Sequence, residues 1–215
     1  MMNAEKVETL FDTLKVCVLV PTYNNAGTLE PLLKDLLSFT RNILVVNDGS
    51  GDGTVEILEN FSGLQIISYS PNRGKGFALR RGFKKAVELG YDYAISIDSD
   101  GQHFAKDLPV FLQLLQENAG SLLIGARNMN QPGVPSKSGF GNRFSNFWFR
   151  VETGIRLPDT QSGYRLYPVS RLGQMHFFTR KYEFEIEVIV RAAWKGIPVK
   201  PVPVSVYYPP TGIRV

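Results

Sequence analysis

The sequence has one cysteine and two histidines in 215 residues. No disulfide can therefore form within the chain, and a zinc cluster of the Cys and His type would lack ligands. Cys17 lies in the apolar run Val16 to Val20 and reads as a buried strand residue, and a chain without disulfides suits a reducing compartment such as the cytoplasm. No apolar run approaches the ~20 residues of a membrane-spanning helix, and the N-terminus, MMNAEKVETLFDTLK, holds no signal-type apolar stretch, so a soluble chain is expected. Charge is sparse too. The net +4 comes without a basic tail or repeat, its cations gathered at Arg73 to Lys85 and Arg127 to Arg150, which suits an anionic small molecule or a membrane surface better than a nucleic-acid groove. The Pro-rich, basic end from Tyr207 to Val215 reads as cut short of a native tail that would contact a membrane.

What the chain does have is alternation. Strands are expected at Val16 to Val20, Ile43 to Val46, Leu64 to Ile67, Tyr93 to Ile97 and Leu122 to Ile124, and helices at Thr28 to Leu37, Thr54 to Glu59, Phe77 to Leu89 and Leu108 to Glu117. This is the βαβ pattern of an α/β single domain with a mostly parallel sheet flanked by helices. At 43% hydrophobic, the chain can close such a core. Beyond Arg127, the Gly/Pro/Ser-rich stretch Asn128 to Gly141 reads as a mobile active-site loop. A helix over Phe144 to Phe149, a turn at Leu157 to Gly163, a strand near Arg165 to Tyr167, a helix over Glu185 to Ala193 and an extended run Val199 to Val206 follow. No repeat or linker divides the chain.

In open α/β sheets ligands bind beyond the carboxyl ends of the strands, so the loops after the first four strands are where chemistry should collect. The most informative is Ile97-Asp98-Ser99-Asp100-Gly101-Gln102-His103. Alternation carries Asp98 and Asp100 to one side at the strand's end, where two carboxylates repel unless a cation lies between them. With Gln102 as a third oxygen donor, the set suits Mg2+ or Mn2+ shared with a substrate diphosphate. A D-x-D tripeptide alone is common in solvated turns; its place at a strand tip is what favours a site. In the second loop, Asp48 stands at a strand tip, free to accept hydrogen bonds from a base or ribose, while Asp52 or Thr54 caps the next helix. The first loop, Pro21 to Asn25, offers the Tyr23 face to a base and the Asn25 amide for hydrogen bonding. Asn72 to Gly76 opens a helix where Lys75 and backbone N–H groups suit a phosphate, without the spacing of a P-loop. His103 reads as a loop-packing residue, and Trp148 and Trp194 as core or rim.

In order along the chain, PTYNN (Pro21 to Asn25), VVNDGSGDGT (Val45 to Thr54), NRGKGFALRRGF (Asn72 to Phe83) and IDSDGQH (Ile97 to His103) resemble the nucleotide-sugar-binding half of family 2 glycosyltransferases. The particular resemblance is to the polyprenyl-phosphate (dolichol-phosphate-type) hexosyltransferases, and it extends from Val16 to Val206. Four motifs in the family's order and spacing are far more specific than any one of them. The resemblance implies a GT-A fold, Rossmann-like, with residues 16–127 binding a nucleotide-diphosphate sugar and residues 128–206 forming the acceptor half. It implies Pro21, Tyr23 and Asp48 at the base and ribose, Asp98 at the nucleotide or metal, and Asp100 and Gln102 at the metal. Asn25 stands where the family usually has Glu, which leaves base preference open.

In the acceptor half, Gly125-Ala126-Arg127 ends the fifth strand, aims a forked guanidinium at the crevice, and resembles the family's Gly-Ser/Ala-Arg element. Asp159 to Arg165 resembles the Asp-x-x-Ser/Cys-Gly-Phe/Tyr-Arg/Lys segment, which would place Ser162 and Arg165 on phosphate and leave Asp159 to cap or orient its neighbours. Tyr182 to Glu187 resembles the aromatic-acidic-x-acidic element, with Glu185 where Asp is common; these acids would equally enrich a helix N-terminus. Lys137 and Arg143 lie in the loop that in lipid-phosphate transferases meets the acceptor phosphate, though not on the family's own basic positions.

The resemblance implies inversion at the anomeric carbon, with Asp100, Arg127 and Glu185 as the catalytic set and a metal and Arg127 neutralising the departing nucleoside diphosphate. A phosphate monoester, with a second pKa of roughly 6, is largely anionic at neutral pH and needs cations, not a base. Arg127, Lys137, Arg143 and Arg165 therefore favour a polyprenyl phosphate, met at the cytoplasmic face of a membrane in cell-envelope glycan synthesis. The alternative acceptor is a glycan, protein or glycolipid hydroxyl, with Asp159 or Glu185 as base. Outside enzymes, the chain would be a nucleotide-sugar-binding module without turnover, against which the intact Asp98, Asp100 and Gln102 argue. A sugar nucleotidyltransferase would need a Gly-rich, basic signature in the first loop that is not there.

Overall fold

The computed structural model describes residues 3–127 and 136–207, with only the backbone described over 136–140. Alternating burial builds its sheet. Along β1 (Val16–Thr22), Val16, Val18 and Val20 face one side and Cys17 and Leu19 the other, all of them buried. In β2 (Ile43–Asp48), Ile43 and Val45 oppose Leu44 and Val46 in the same way. Strands that are apolar on both faces need helices on both. On the Val16 side, α1 (Ala4–Thr13), α2 (Ala26–Leu37) and α5 (Leu108–Glu117) contribute Phe11, Leu33 and Phe111. On the Cys17 side, α4 (Lys75–Glu88), α7 (Val169–Leu172) and α8 (Glu183–Trp194) contribute Leu79, Leu172 and Val188. Burial pushes the Cys17 thiol up to about 12, so it stays protonated and inert.

With β3 (Gln65–Tyr69), β4 (Tyr93–Ser96), β5 (Leu122–Arg127), β6 (Arg165–Tyr167) and β7 (Val199–Val204), the sheet has seven strands in the order β3-β2-β1-β4-β6-β5-β7. All neighbours are parallel except β6, which runs antiparallel to both β4 and β5. Two consequences position the site. The chain leaves β1 toward β2 on one side and β4 on the other, which opens a crevice at their carboxyl ends. The reversed β6 sets its first residue, Arg165, opposite Ser96 and Ile124, so the segment before it arrives at that same end.

One expectation changes. The loop predicted over Asn128 to Gly141 is helical from residue 136 onward; α6 (Ser136–Thr153) runs 18 residues, while 128–135 lie outside the described residues. Gly139 and Gly141 hide it in the sequence, since each costs ~1 kcal/mol relative to Ala in a helix. Tertiary contacts hold it instead: Phe149 is buried, and the Asn142 and Asn146 amides donate to the Pro158 carbonyl. The sequence reading also missed α1, capped by Asn3 accepting from the Lys6 N–H, and the short α7. Elsewhere α3 (Thr54–Glu59) and α5 fall as expected, and other ends shift by a few residues. Among the described residues no helix is long and apolar enough to cross a membrane.

Candidate active site

The carboxyl ends of β1, β2 and β4 and the start of α4 enclose a cavity of about 480 Å3. Its wall brings together Pro21, Tyr23, Asn25, Asp48, Lys75, Asp98 and Asp100, residues that the sequence scatters over four loops. Tyr23 is exposed where it lines this cavity.

Strand alternation does not place the two acids, because β4 stops at Ser96; a turn does. Ser99, between them, donates from Oγ to the Pro21 carbonyl at 3.2 Å and accepts the Asn25 amide at 2.7 Å. Thr28 Oγ donates to the Ser99 carbonyl at 2.5 Å. Asn25 thus anchors the first loop to the acidic turn.

Asp48 is not free, contrary to the sequence expectation. Its carboxylate accepts from the Asn72 amide at 2.9 Å and from the Arg73 and Gly74 backbone N–H groups, each at 2.8 Å. A carboxylate left bare at a strand tip gathers nearby N–H donors, and Gly74 supplies one because its φ of 95° suits glycine. Asp48 still lines the cavity. Asp52 caps the first turn of α2 through Ala26 N–H and turns back to Thr54 N–H, while Thr54 itself is buried in α3.

Lys75 is also engaged. Its ammonium lies 2.8 and 2.9 Å from the two Asp98 oxygens and 3.0 Å from Glu185 Oε2, so it holds carboxylates where the sequence suggested a phosphate. Burial alone would lower the Lys75 ammonium, yet Asp98 and Glu185 hold it above its ordinary value. Burial alone would raise Asp98, and Lys75, with smaller contributions from His103 and Arg165, brings it below the ordinary range. Asp100 goes the other way: burial and then the Asp98 charge push its carboxyl up. Asp100 accepts the Gln102 backbone N–H at 3.0 Å. Among the described residues, no group of three or more His, Cys, Asp or Glu forms a closed metal cage. Asp98 and Asp100 instead put two carboxylates on the wall of an open cavity, hard oxygens that fit Mg2+ or Mn2+ completed by a diphosphate and do not fit a structural zinc, while Gln102, expected as a third donor, is not among the residues lining that cavity.

A second cavity, about 330 Å3, adjoins the first, and Tyr182 lines both. Arg127 lines it, and its guanidinium grips Asp159 with Nε at 2.5 Å and Nη2 at 3.0 Å. Asp159 also accepts the Gln161 and Ser162 N–H groups, which makes it the orienting residue of its segment. Glu185 lines the same cavity, and its Oε1 is buried without a hydrogen-bond partner.

Two residues expected on the acceptor phosphate are held inside the fold. Arg165 lines the second cavity, yet it is 0% exposed, and its guanidinium donates to the carbonyls of Ser162, Glu185 and Thr160 at 2.5, 2.5 and 2.9 Å, so it knits three backbone segments together. Ser162 is buried, and its hydroxyl accepts the Tyr164 N–H. Both are spent inside the fold because β6 enters the middle of the sheet, where polar groups must find internal partners. Arg143 is exposed on α6 and lines neither cavity, and the Lys137 side chain lies outside the described residues. His103 is buried against the Tyr164 ring, and burial holds its imidazole below the ordinary value, consistent with packing.

Sequence reasoning missed Lys181 and Gly163. Lys181 lines the first cavity because the Phe77 N–H donates to the Arg180 carbonyl at 2.8 Å and ties that segment to the start of α4. Its signal was its place just before Tyr182. At Gly163 a Cβ would sit 2.2 Å from Asp98 Oδ2 and 2.8 Å from Lys75 Nζ, so only glycine lets β6's approach pass the ion pair.

Comparison with known proteins gives the family and the fold. Residues 17–172 match the model of the family described as Glycosyl transferase family 2. Glycosyltransferase AglJ of Haloferax volcanii is 32% identical over 200 residues, covering 92% of this chain and 64% of that protein. A UDP-N-acetylglucosamine–dolichyl-phosphate N-acetylglucosaminyltransferase of Methanococcus voltae is 26% identical over 215 residues, covering 90% and 86%. Among solved structures, glucosyl-3-phosphoglycerate synthase of Mycobacterium tuberculosis, crystallised with Mn2+, UDP-glucose and phosphoglyceric acid, superposes with a TM-score of 0.73 at 20% identity, over 97% of this chain and 76% of that one.

Proposed function

The chain belongs to glycosyltransferase family 2, and from that premise we propose that it transfers a sugar, with inversion, from a nucleotide-diphosphate donor to a polyprenyl phosphate at a membrane surface. The observation that carries the reading is the meeting of Tyr23, Asp48, Asp98 and Asp100 around one cavity. In this reading residues 16–127 form the donor half, with the base and ribose against Pro21, Tyr23 and Asp48 and the diphosphate toward Asp100 and the start of α4. Asp100 and Gln102, with Asp98 beside them, would hold Mg2+ or Mn2+, which when bound supplies charge neutralisation to the diphosphate. The Mn2+ and UDP-glucose named for the mycobacterial neighbour support this donor class.

Residues 128–206 form the acceptor half, with the second cavity as the acceptor's entry. An acceptor phosphate oxygen attacks the anomeric carbon as the bond to the diphosphate breaks on the opposite face, and the nucleoside diphosphate leaves with the electron pair. The acceptor arrives anionic, so no proton has to be removed. Asp159 fixes the Arg127 fork, which keeps a permanent cation beside the phosphates without reorganisation during the reaction. The dolichyl-phosphate acceptor in the name of the Methanococcus relative supports the acceptor class.

A second reading rests on Glu185. Glu185 lines the acceptor cavity and keeps one carboxylate oxygen without a hydrogen-bond partner, which suits a base that takes a proton from a hydroxyl acceptor. One experiment separates the two. Thermal-shift screening of UDP, GDP, CDP and dTDP with and without Mn2+ finds the donor base; the matching sugar nucleotides are then offered with polyprenyl phosphate, unphosphorylated polyprenol or a glycan. Product on the phosphate alone, surviving in Glu185→Gln, is expected. Product on hydroxyls alone, lost in Glu185→Gln, would establish the second reading, and no nucleotide-dependent shift or turnover would sink both.

A further inference from the structure

Helix α6 is inside out. The side turned to the protein carries Asn142, Ser145, Asn146 and Phe149, and its polar groups bind Pro158 and Thr160. The opposite side carries Phe144, Phe147, Trp148 and Val151, which are 60%, 59%, 48% and 57% exposed. Their i, i+3, i+4, i+7 spacing makes one stripe about 100° wide, the pattern that normally faces a core. Trp194 extends it, 59% exposed, with its indole N–H donating to the Glu152 carbonyl at the end of α6. Exposed Arg143 and Arg150, seven positions apart, run along one margin.

We propose that this stripe docks the protein on an anionic lipid bilayer, its aromatic rings at the acyl boundary and Arg143 and Arg150 among the headgroup phosphates. Composition selects that occupant: Trp and Phe with an arginine border match an interfacial helix. The fold adds a geometric reason. Asn146 accepts the Thr160 N–H at 2.9 Å, and Thr160 lines the acceptor cavity, so a docked α6 would hold that cavity's wall close to the membrane. This second reason rests on the lipid-phosphate reading above; the docking itself does not.

The test is sedimentation of the purified chain with phosphatidylglycerol/phosphatidylcholine vesicles, without donor or acceptor. The chain is expected to pellet with the vesicles, with tryptophan emission shifted to the blue and quenched by brominated lipid. The triple variant Phe144→Glu, Phe147→Glu, Val151→Glu should lower partition at least about tenfold while keeping its thermal midpoint. Arg150→Glu should weaken binding to anionic vesicles only. Transfer to a short-chain, water-soluble acceptor should persist in the triple variant, so docking and transfer are read separately; a wild type that docks but never glycosylates a lipid phosphate removes the transfer reading and leaves docking intact. Wild type that ignores vesicles, or a triple variant that binds them equally well, overturns the proposal. So does a dimer in sedimentation velocity that the triple variant abolishes, which would assign the stripe to a second copy.

Discussion

Replacing Lys75 by Met keeps the side chain's length and removes the ammonium that holds Asp98 at 2.8 and 2.9 Å and Glu185 at 3.0 Å. The three side chains are 17%, 24% and 10% exposed, so both carboxylates would be left largely buried with their shared cation gone. Removing one partner of a buried pair costs about 3–5 kcal/mol, and the residual exposure places this case near about 3 kcal/mol. That is roughly a hundredfold in the folded-to-unfolded ratio, read as a fall in the urea midpoint at unchanged slope. Adding Glu185→Gln should restore part of the loss by removing one orphaned charge. The pH dependence has a definite sign. The raised Lys75 value contributes stability that is present below about 10 and lost as pH rises through the folded value. The lowered Asp98 value contributes stability present above about 4 and lost as pH falls through its own. The stability gap between wild type and variant should therefore be level between these limits and narrow outside them. Millimolar Mn2+ alone should also raise the variant's thermal midpoint more than the wild type's, because Asp98 and Asp100 would then lack an internal cation. A variant within about 0.5 kcal/mol of wild type, or a double variant weaker than the single, would refute this account of the ion cluster.

Asp100→Asn should raise the metal-free thermal midpoint at pH 7 while abolishing metal-dependent turnover. An acid whose folded value is raised binds more protons folded than unfolded, so its ionisation destabilises the fold as pH rises, and the amide removes that term; a lower midpoint in differential scanning fluorimetry would contradict the placement. Arg127→Lys cannot keep both bonds to Asp159, so it should cost about 1.5–3 kcal/mol in chemical denaturation and reduce kcat more than it weakens nucleotide binding in titration calorimetry. Gly163→Ala forces a methyl into the Asp98–Lys75 pair and should cost about 1–3 kcal/mol; donor affinity equal to wild type by calorimetry would mean that the pair moves aside at no cost to the cavity.

The first half of the chain was legible because its signals are local. A short apolar run ending in Asp48 or in the Asp98 turn carries both the strand and the chemistry at its tip, and a parallel sheet gathers such tips at one end without further information. The second half was not. Arg165 and Ser162 look like surface phosphate ligands until β6 is known to run backwards between β4 and β5, a pairing that three residues cannot announce. Lys75 reads as a phosphate lysine because its two carboxylate partners lie 23 and 110 residues away in sequence (98 − 75; 185 − 75). The same distance effect hid α6, whose glycines argue against a helix and whose stability comes from Pro158 and Thr160.

The reversed β6 also dictates an order of assembly. β4 and β5 do not pair with each other; the short strand from Arg165 to Tyr167 is the rivet between them. During synthesis the loops that bring Pro21, Asp48, Lys75 and Asp98 to the first cavity emerge within the first 103 residues, yet the sheet stays in two pieces until some sixty more have left the ribosome (165 − 103 = 62). Lys75 must wait longer still, for Glu185, before its charge is balanced. A nascent chain would therefore own most of the first cavity's wall well before it could close it, and the cavity would be complete only when the last third of the chain has emerged and β6 has entered the middle of the sheet.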